Sequence, residues 1–249
     1  MTVATGLDTR YRLVVSSDRE HRLAAQRLRY SVFAAEPGFA MRGDTDADRF
    51  DEFCDHLLVR DERTGRYVGC YRMLPPDASV AAGGYYTETE FDLAAFAPLR
   101  PRLVEMGRAC VDREHRNGAV LPLMWAGVLR YLRLTGHDWL IGCVSVPMGG
   151  EVPGANVRAV RDVLRARHAG PVVASPYRPV PGLETLPVPD RAVLPPLLRG
   201  YLRLGATICG DPAHDPDFGV ADFVALLGLH QADERYLSRL QAAANRIAS

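Results

Sequence analysis

Strand-like and helix-like stretches alternate along this chain, and their order constrains the fold more than any other feature of the sequence. Short runs rich in β-branched and aromatic residues are typical of strands, and longer runs with apolar residues every three or four positions are typical of amphipathic helices. The predicted order is βα, ββ, β, α, β, α, α, β, β. Hairpins and helical crossovers together predict an α/β (α+β) fold, with one mixed sheet and helices on its faces.

The boundaries follow from caps, turns and apolar periodicity. Ser17 and Glu20 have the spacing of a capping box and predict a helix that continues to Phe33. Residues 75–93 are predicted to be a loop that ends near a short helix, and the proline-rich residues 171–194 an extended connection. Strands are predicted at 11–16, 56–61, 67–74, 103–111, 139–146, 206–210 and 220–229, and further helices at 121–136, 156–170 and 195–205.

The length and composition favour one domain. The chain has 249 residues, of which 47% are hydrophobic, and this is enough for a substantial core. The part that follows residues 171–194 is too short to form a domain of its own. We therefore predict a single domain over residues 1–249, with residues 1–10 disordered.

The charge and the cysteines narrow the functional classes. Thirty acidic residues balance thirty basic ones, all arginine, so a non-specific nucleic-acid binder is not expected. The absence of lysine excludes Schiff-base chemistry by a lysine. Five scattered cysteines without a C-x-x-C pair argue against a disulfide framework or a zinc site. With no signal-peptide core and no membrane-length apolar run, we expect a cytoplasmic protein that is at most peripheral to a membrane.

The run "LVEMGRACVDREHRNG" (103–118) places an acid and a base in a predicted strand. Residues three apart on a regular strand point to opposite faces, so Glu105 and Arg108 can share a cleft only if the strand contains an extra residue. Gly107 lies between them and tolerates the geometry of a β-bulge, which would also free backbone N–H groups to bind an oxyanion. The alternative is an edge strand with two solvated charges.

Acids cluster in "DADRFDEFCDH" (46–56), just before a predicted strand. Asp48 and Asp51 could hold an ammonium group, and the stretch lacks the spacing of an EF-hand calcium loop. The alternative is a solvated acidic loop. Arg29 in a helix and Arg72 in a mostly apolar strand each need a partner, either one of these acids or a carboxylate or phosphate of a ligand.

Several stretches taken together resemble the ornithine-lipid-forming N-acyltransferases, a hemolysin-like branch of the GCN5-related N-acyltransferases. They are "LRYSVFAAEPG", "DRFDEFCDHLLV", "GCYRMLP", "GGYYTETEFDL", "VEMGRACVDREHR", "LMWAGVLRYL", "IGCVSV" and "PPLLRGYLRLGATICGDPAHDPDFGVADFVALL". The resemblance covers roughly residues 11–240 and implies the GCN5-related N-acyltransferase-like fold, with helices on both sheet faces and a C-terminal extension. A more distant similarity is to the acyl-homoserine-lactone autoinducer synthases, whose shared pattern is represented here by Arg29, Asp48, Asp51, Arg72, Glu105 and Arg108.

The resemblance implies roles for these residues. Glu105 would be the general base that deprotonates the incoming ammonium, directly or through a water, and Arg108 would support it in catalysis. Asp48 and Asp51 would hold the amine substrate or order the N-terminal loop over it. The three arginines would support the acids and could bind the acceptor's carboxylate: Arg29, Arg72 and Arg108. The donor's phosphopantetheine, or a coenzyme A thioester, would be bound by Val111, Arg116, Gly118, Ala119 and Ser145.

The loop "REHRNGAV" (113–120) departs from the Gln/Arg-x-x-Gly-x-Gly/Ala pattern of the superfamily's coenzyme A loop. A strand–glycine–helix turn can still hold one phosphate, so this departure favours acyl carrier protein as the donor. The arginines of helix 156–170 could dock that acidic partner, or form an ordinary solvated face: Arg158, Arg161, Arg165 and Arg167. Candidates to line an acyl tunnel, although most such residues are core, are Leu123, Met124, Trp125, Val144 and Val146.

The leading hypothesis is therefore an N-acyltransferase that moves a (3-hydroxy)fatty acyl group from acyl carrier protein to the α-amino group of ornithine or a similar amino acid. No metal and no redox cofactor is implied. Cys110 and Cys143 are disfavoured as nucleophiles because neither has a base nearby in the sequence. The alternatives are a coenzyme-A-dependent N-acetyltransferase, an acyl-homoserine-lactone-type synthase and a non-catalytic lipid- or membrane-associated protein. The acyl length and the oligomeric state stay open.

Overall fold

The structure, a computed structural model, describes residues 10–35, 43–116 and 118–233, together with residues 235, 236, 238 and 242. The strands are β1 (Tyr11–Ser16), β2 (Asp55–Asp61), β3 (Tyr67–Leu74), β4 (Phe91–Asp92), β5 (Leu103–Val111), β6 (Trp139–Pro147), β7 (Ser175–Pro176), β8 (Thr207–Ile208), β9 (Ala213–Asp215) and β10 (Val220–Gly228). The α-helices are α1 (Arg19–Phe33), α2 (Pro76–Ala81), α3 (Val120–Thr135), α4 (Ala155–Arg167) and α5 (Pro196–Leu204).

Most predicted elements are confirmed, and β1, β3 and β5 have the predicted boundaries. Helix α2 and strand β9 were not predicted, since six and three residues are too few for a periodic pattern to show. The capping box is wrong: α1 begins at Arg19 after Asp18, which makes no side-chain capping bond. Ser16 Oγ instead accepts a hydrogen bond from the Asp18 N–H, and this fixes the turn between β1 and α1.

The chain divides into two compact units, and each is described by itself. The first comprises Met1–Gly84, Met106–Asp138 and Asp233–Ser249, and the second comprises Tyr85–Glu105 and Trp139–Ala232. The boundary falls within β5, and the single domain stays a prediction. Of residues 1–10, predicted to be disordered, Arg10 is described and pairs with Asp61 at 3.0 Å; residues 1–9 lie outside the described part.

In the first unit, β1, β2 and β3 form an antiparallel meander, and β5 follows β3 in the strand order. Gly69 and Cys70 are consecutive on β3, so their side-chain directions are opposite. Cys70 packs with Ala25 and Leu28 of α1, whereas a Cβ added at Gly69 would lie 2.6 Å from Val120 Cγ1 of α3. The two helices therefore cover opposite faces of these strands, as predicted.

In the second unit, the first residues of β5 run parallel to β6, and β6 is antiparallel to β10. Strands β8 and β9 both pair with β10. Parallel and antiparallel pairs together confirm the mixed sheet. One face packs against α4 and α5, where Val144 and Phe223 join a core cluster with Val157 and Leu198. The opposite face carries polar groups, since Cys143 and Ser145 alternate with the valines of β6.

In the part of the chain that the structure describes, no helix is both long enough and apolar enough to cross a lipid bilayer.

Candidate active site

Three arginines and three aspartates meet in the first unit, and we call them the Arg–Asp cluster: Arg29, Asp46, Asp48, Asp51, Arg72 and Arg108. Arg29 Nε lies 2.7 Å from Asp46 Oδ2, and its Nη2 lies 2.7 Å from Asp51 Oδ2. Arg72 Nη1 lies 2.6 Å from Asp48 Oδ1 and 3.1 Å from Asp51 Oδ1. The formal charges balance within the cluster, so its buried members compensate one another.

Asp51 is the central acid of the cluster. It begins a 3-10 turn, Asp51–Phe53, directly before β2, and it is only 1% exposed, as is Arg29. Its Oδ2 also accepts hydrogen bonds from Gln26 Nε2 at 2.9 Å and from the Asp48 N–H at 3.2 Å. Burial alone would raise the pKa of Asp51, but the hydrogen bond and charge of Arg29, with the charge of Arg72, hold that pKa well below its usual range.

Arg108 is the third arginine of the cluster, and its backbone is unusual. Its Nη2 lies 3.2 Å from Asp48 Oδ2, and its Nη1 lies 3.6 Å from Asp46 Oδ1. Among the described residues it is the non-glycine residue with a positive φ, 54°. The irregularity predicted at Gly107 thus lies one residue later, and Gly107 itself is not in the left-handed region. Such a backbone costs about 1–2 kcal/mol, which the ion pairs of Arg108 help to offset.

Glu105 belongs to the second unit, where a short turn holds its carboxylate. Oε2 accepts a hydrogen bond from the Tyr86 N–H at 2.7 Å, and Oε1 accepts one from the Thr87 N–H at 2.7 Å. Thr87 Oγ1 donates to the same Oε1 at 2.6 Å. Glu105 is 5% exposed and lies on a strand that is paired with β6, so the edge-strand alternative is wrong. Tyr86 and Thr87 lie in the stretch "GGYYTETEFDL", where no local pattern indicates that they hold a carboxylate.

Polar groups continue from Glu105 along one face of β6. Cys143 Sγ lies 3.7 Å from Thr87 Oγ1, and Ser145 Oγ donates to Asp222 Oδ1 at 2.5 Å. Burial, with the charges of Glu90 and Asp222, raises the pKa of Cys143 well above its usual value. The Cys110 thiol, in the first unit, also has a raised pKa, because of its hydrogen bond with Cys70 and its burial. Thiols that stay protonated are poor nucleophiles, which agrees with the prediction that neither cysteine attacks the acyl group.

A second acidic group, which the sequence did not predict, lies on the same face. Carboxylate oxygens of Glu90, Asp215 and Asp222 lie within 4.8 Å of one another, and we call these residues the acidic triad. Glu90 and Asp215 line a cavity of about 330 Å³. Burial and the charges of Asp222 and Asp215 raise the pKa of Glu90 to about 8. Glu90 is more than a hundred residues from Asp215 and Asp222 in the sequence, and β9, which carries Asp215, was not predicted.

Among the described residues, two groups of side chains have a composition suited to a metal ion. One is the acidic triad, and the other consists of Asp112, Glu114 and His115.

The predicted donor-binding loop follows β5. Arg116 Nε donates to the Val111 carbonyl at 3.1 Å, Gly118 has a φ of 87°, and Ala119 is the N-cap residue of α3. Among the described residues, no side chain caps the start of that helix. Asn117 lies outside the described residues. These groups stay predictions as donor ligands, as does Ser145, whose hydroxyl is bonded to Asp222.

The basic helix face is less open than predicted. Arg161 is buried and pairs with Glu184 and Asp162, and Arg158 donates to the Leu186 carbonyl. The prediction that Arg161 docks an acidic partner is therefore wrong, because its charge is neutralised inside the unit. Arg165 and Arg167 are exposed.

The residues proposed for an acyl tunnel are mostly core. Buried ones are Met124, Trp125, Val144 and Val146. Leu123 lines a different cavity, of about 390 Å³, between β1 and α3.

Comparison with known proteins agrees with this architecture. Residues 28–126 match the family model described as an acetyltransferase (GNAT) domain. The chain is 36% identical over 246 residues to an L-ornithine N(alpha)-acyltransferase of Brucella abortus, covering 90% of this chain and 86% of that protein. It is 35% identical to the protein of the same name from Agrobacterium fabrum, covering 90% of this chain and 83% of that protein.

A solved structure shares the fold. The coenzyme-A-dependent acyl-homoserine lactone synthase BjaI superposes with a TM-score of 0.52 at 15% identity, covering 93% of this chain and 87% of that chain. With a relative at 36% identity over most of both chains, the protein belongs to the L-ornithine Nα-acyltransferase family and is an acyltransferase.

Proposed function

We propose that this protein transfers a (3-hydroxy)fatty acyl group from a thioester to the α-amino group of ornithine or a closely similar amino acid. The relatives named L-ornithine N(alpha)-acyltransferase support the acceptor and the bond that is formed. The single observation that carries the chemistry is the oriented, buried carboxylate of Glu105. The products are an N-acyl amino acid, which is an aminolipid precursor, and the free thiol of the donor.

Glu105 acts as the general base in this proposal. The α-amino group of a free amino acid is mostly protonated at neutral pH, so it must lose a proton before it attacks. The carboxylate takes that proton, directly or through a water, and the amine nitrogen attacks the thioester carbonyl. The tetrahedral intermediate then collapses: the carbon–sulfur bond breaks, the nitrogen loses its second proton, and the leaving thiolate takes up a proton. No acyl-enzyme forms. The hydrogen bonds from Tyr86 and Thr87 support this role because they fix the direction of the carboxylate.

The members of the Arg–Asp cluster divide by exposure. Asp48 and Arg108 have side chains that are 23% and 18% exposed, so they are the members best able to contact the acceptor. We assign Arg108 to catalysis alongside Glu105, and Asp48 to the amino acid. Arg29 and Asp51 are buried and act through the others, as positioning residues. Arg72 is also buried and holds Asp48.

Acyl carrier protein is the donor in this proposal, and coenzyme A is the alternative. The loop 113–120, which departs from the coenzyme A pattern, favours a donor with one phosphate. We assign that phosphate to the loop groups predicted from the sequence: Val111, Arg116, Gly118 and Ala119. Ser145 belongs to the other unit and is bonded to Asp222, so it is not included in this assignment. A cytoplasmic location with peripheral membrane contact stays a prediction.

The test is acyl transfer with Glu105→Gln. Purified protein is given ornithine with either 3-hydroxyacyl–acyl carrier protein or the matching coenzyme A thioester, and the product is measured by mass spectrometry. We expect the substitution to lower kcat by about 10²–10⁴-fold, because it removes the proton acceptor and keeps the shape. Glu151→Gln, at an exposed glutamate of the same unit, is the matched control. Full activity of Glu105→Gln would show that Glu105 is not the base. Activity with coenzyme A alone would exclude the carrier protein as the donor.

A further inference from the structure

We propose that the acidic triad, Glu90, Asp215 and Asp222, binds the side-chain ammonium group of the acceptor amino acid and so selects a diamino acid. This inference rests on the proposed function, which needs only the α-amino group of the acceptor. Ornithine carries a second ammonium at the end of its side chain, and nothing in acyl transfer itself uses that group.

The chemistry of the cavity fits an ammonium. Glu90 Oε2 is buried and has no hydrogen-bond partner among the described residues, whereas the carboxyl group as a whole is hydrogen-bonded to Tyr86 and Asp222. An ammonium has three N–H donors and one positive charge, which together suit three converging carboxylates. Aromatic side chains line the same cavity, and they can add cation–π attraction: Tyr86, Tyr177 and Phe218.

The charges of the acidic triad also favour a bound cation. Asp222 is buried and already accepts a hydrogen bond from Ser145, and the raised pKa of Glu90 reflects first its burial and then repulsion from Asp222 and Asp215. A bound cation would relieve that repulsion, since an opposite charge at this distance favours the ionised form.

The distance along β6 between the position of Glu105 and the position of Asp222 also fits the length of ornithine. Glu105 is the parallel partner of Ile141, and Asp222 is the antiparallel partner of Ser145. Four residues separate these two positions of β6, which is roughly 13 Å along the strand. In extended ornithine about 6 Å separates the two nitrogens, and a hydrogen bond of about 3 Å at each end gives roughly 12 Å. The distance between these two backbone positions is therefore comparable with the span of one extended ornithine that is hydrogen-bonded at both ends.

The experiment compares ornithine with norvaline, which has the same carbon skeleton and lacks the side-chain ammonium. Steady-state acylation of each is measured for the wild type, Glu90→Gln, Asp215→Asn and the control Glu151→Gln. We expect the wild type to prefer ornithine. We expect each triad variant to raise the KM for ornithine by about 10–100-fold, the scale of a charge-assisted hydrogen bond, and to leave the kcat/KM for norvaline within about twofold. Glu151→Gln should match the wild type with both acceptors.

Three results would overturn the inference. An unchanged KM for ornithine in both triad variants would show that the triad does not bind the acceptor. An equal loss with ornithine and norvaline would assign Glu90 to the chemical step or to folding. A preference for ornithine that disappears on chelation with EDTA and returns with Ca²⁺ would make the triad a metal site. In all three cases the wild type still acylates ornithine, whereas a wild type that acylates neither amino acid would contradict the proposed function itself.

Discussion

Replacing Asp51 with asparagine tests whether the Arg–Asp cluster is a buried charge network. The substitution keeps the shape and removes the negative charge between Arg29 and Arg72. Both of these arginines are buried. They would then have an amide for a partner where they now have a carboxylate.

The expected loss follows from the contacts of Asp51. Two charge-assisted hydrogen bonds, at 2.7 Å to Arg29 and 3.1 Å to Arg72, are each worth about 1.5–3 kcal/mol. Their sum agrees with the 3–5 kcal/mol typical of breaking a buried ion pair. Because most proteins unfold at a cost of about 5–15 kcal/mol, Asp51→Asn should remove a large share of the total.

Urea unfolding followed by circular dichroism measures this loss, and we expect the midpoint to fall by about 1 M or more.

The pH dependence of this loss has a defined sign. Asp51 has a lowered pKa in the folded state, so its contribution is present above its ordinary value of 3.8 and is lost as the pH falls. The difference in the free energy of unfolding between the wild type and Asp51→Asn should therefore become smaller at acidic pH. Asp44→Asn, at an exposed aspartate nearby, should change stability by less than about 0.5 kcal/mol. If Asp51→Asn behaves like Asp44→Asn at pH 7, the network does not hold this part of the fold together.

Three further predictions concern other parts of the molecule. The pKa of Glu90 is raised to about 8 from an ordinary value of 4.5, so its contribution to stability is present below about pH 4.5 and is lost as the pH rises to 8. In Glu90→Gln, the melting temperature should therefore depend less on pH across that range. Gly69→Ala should cost about 1–3 kcal/mol by urea unfolding because its Cβ would lie 2.6 Å from a valine carbon of α3, whereas Gly107→Ala, with nothing within 4 Å, should cost less than about 1 kcal/mol. Thr87→Val should lower kcat about tenfold by removing one hydrogen bond to Glu105, and Thr87→Ser should restore it; a KM effect alone would contradict a positioning role.

The sequence predicted those parts of the fold and site that depend on local pattern and on simple charge rules. Strand β5 was predicted to the residue because its apolar run is bounded by prolines and by a charged loop. The need of Arg29 and Arg72 for acidic partners also followed from the cost of an unpaired buried charge, and both do pair with Asp51.

Other features depend on contacts that no local pattern reveals. The acidic triad joins Glu90 to two aspartates that lie more than a hundred positions later in the sequence, and the pairing of β9 with β10 accounts only for the closeness of the two aspartates. The irregular backbone of β5 was assigned to Gly107 because glycine adopts positive φ most easily. It occurs at Arg108, whose side chain is held by two aspartates, so tertiary ion pairs outweighed the local preference.

Strand β10 links stability to the choice of acceptor. All nine of its residues are buried, and Asp222 is the charged one among them. A carboxylate in such a strand costs folding free energy that an asparagine or an apolar residue would not. A library selected for heat resistance alone is therefore expected to lose this aspartate early, and with it the preference for a diamino acid. A thermostable variant of this catalyst should be selected with its acceptor present.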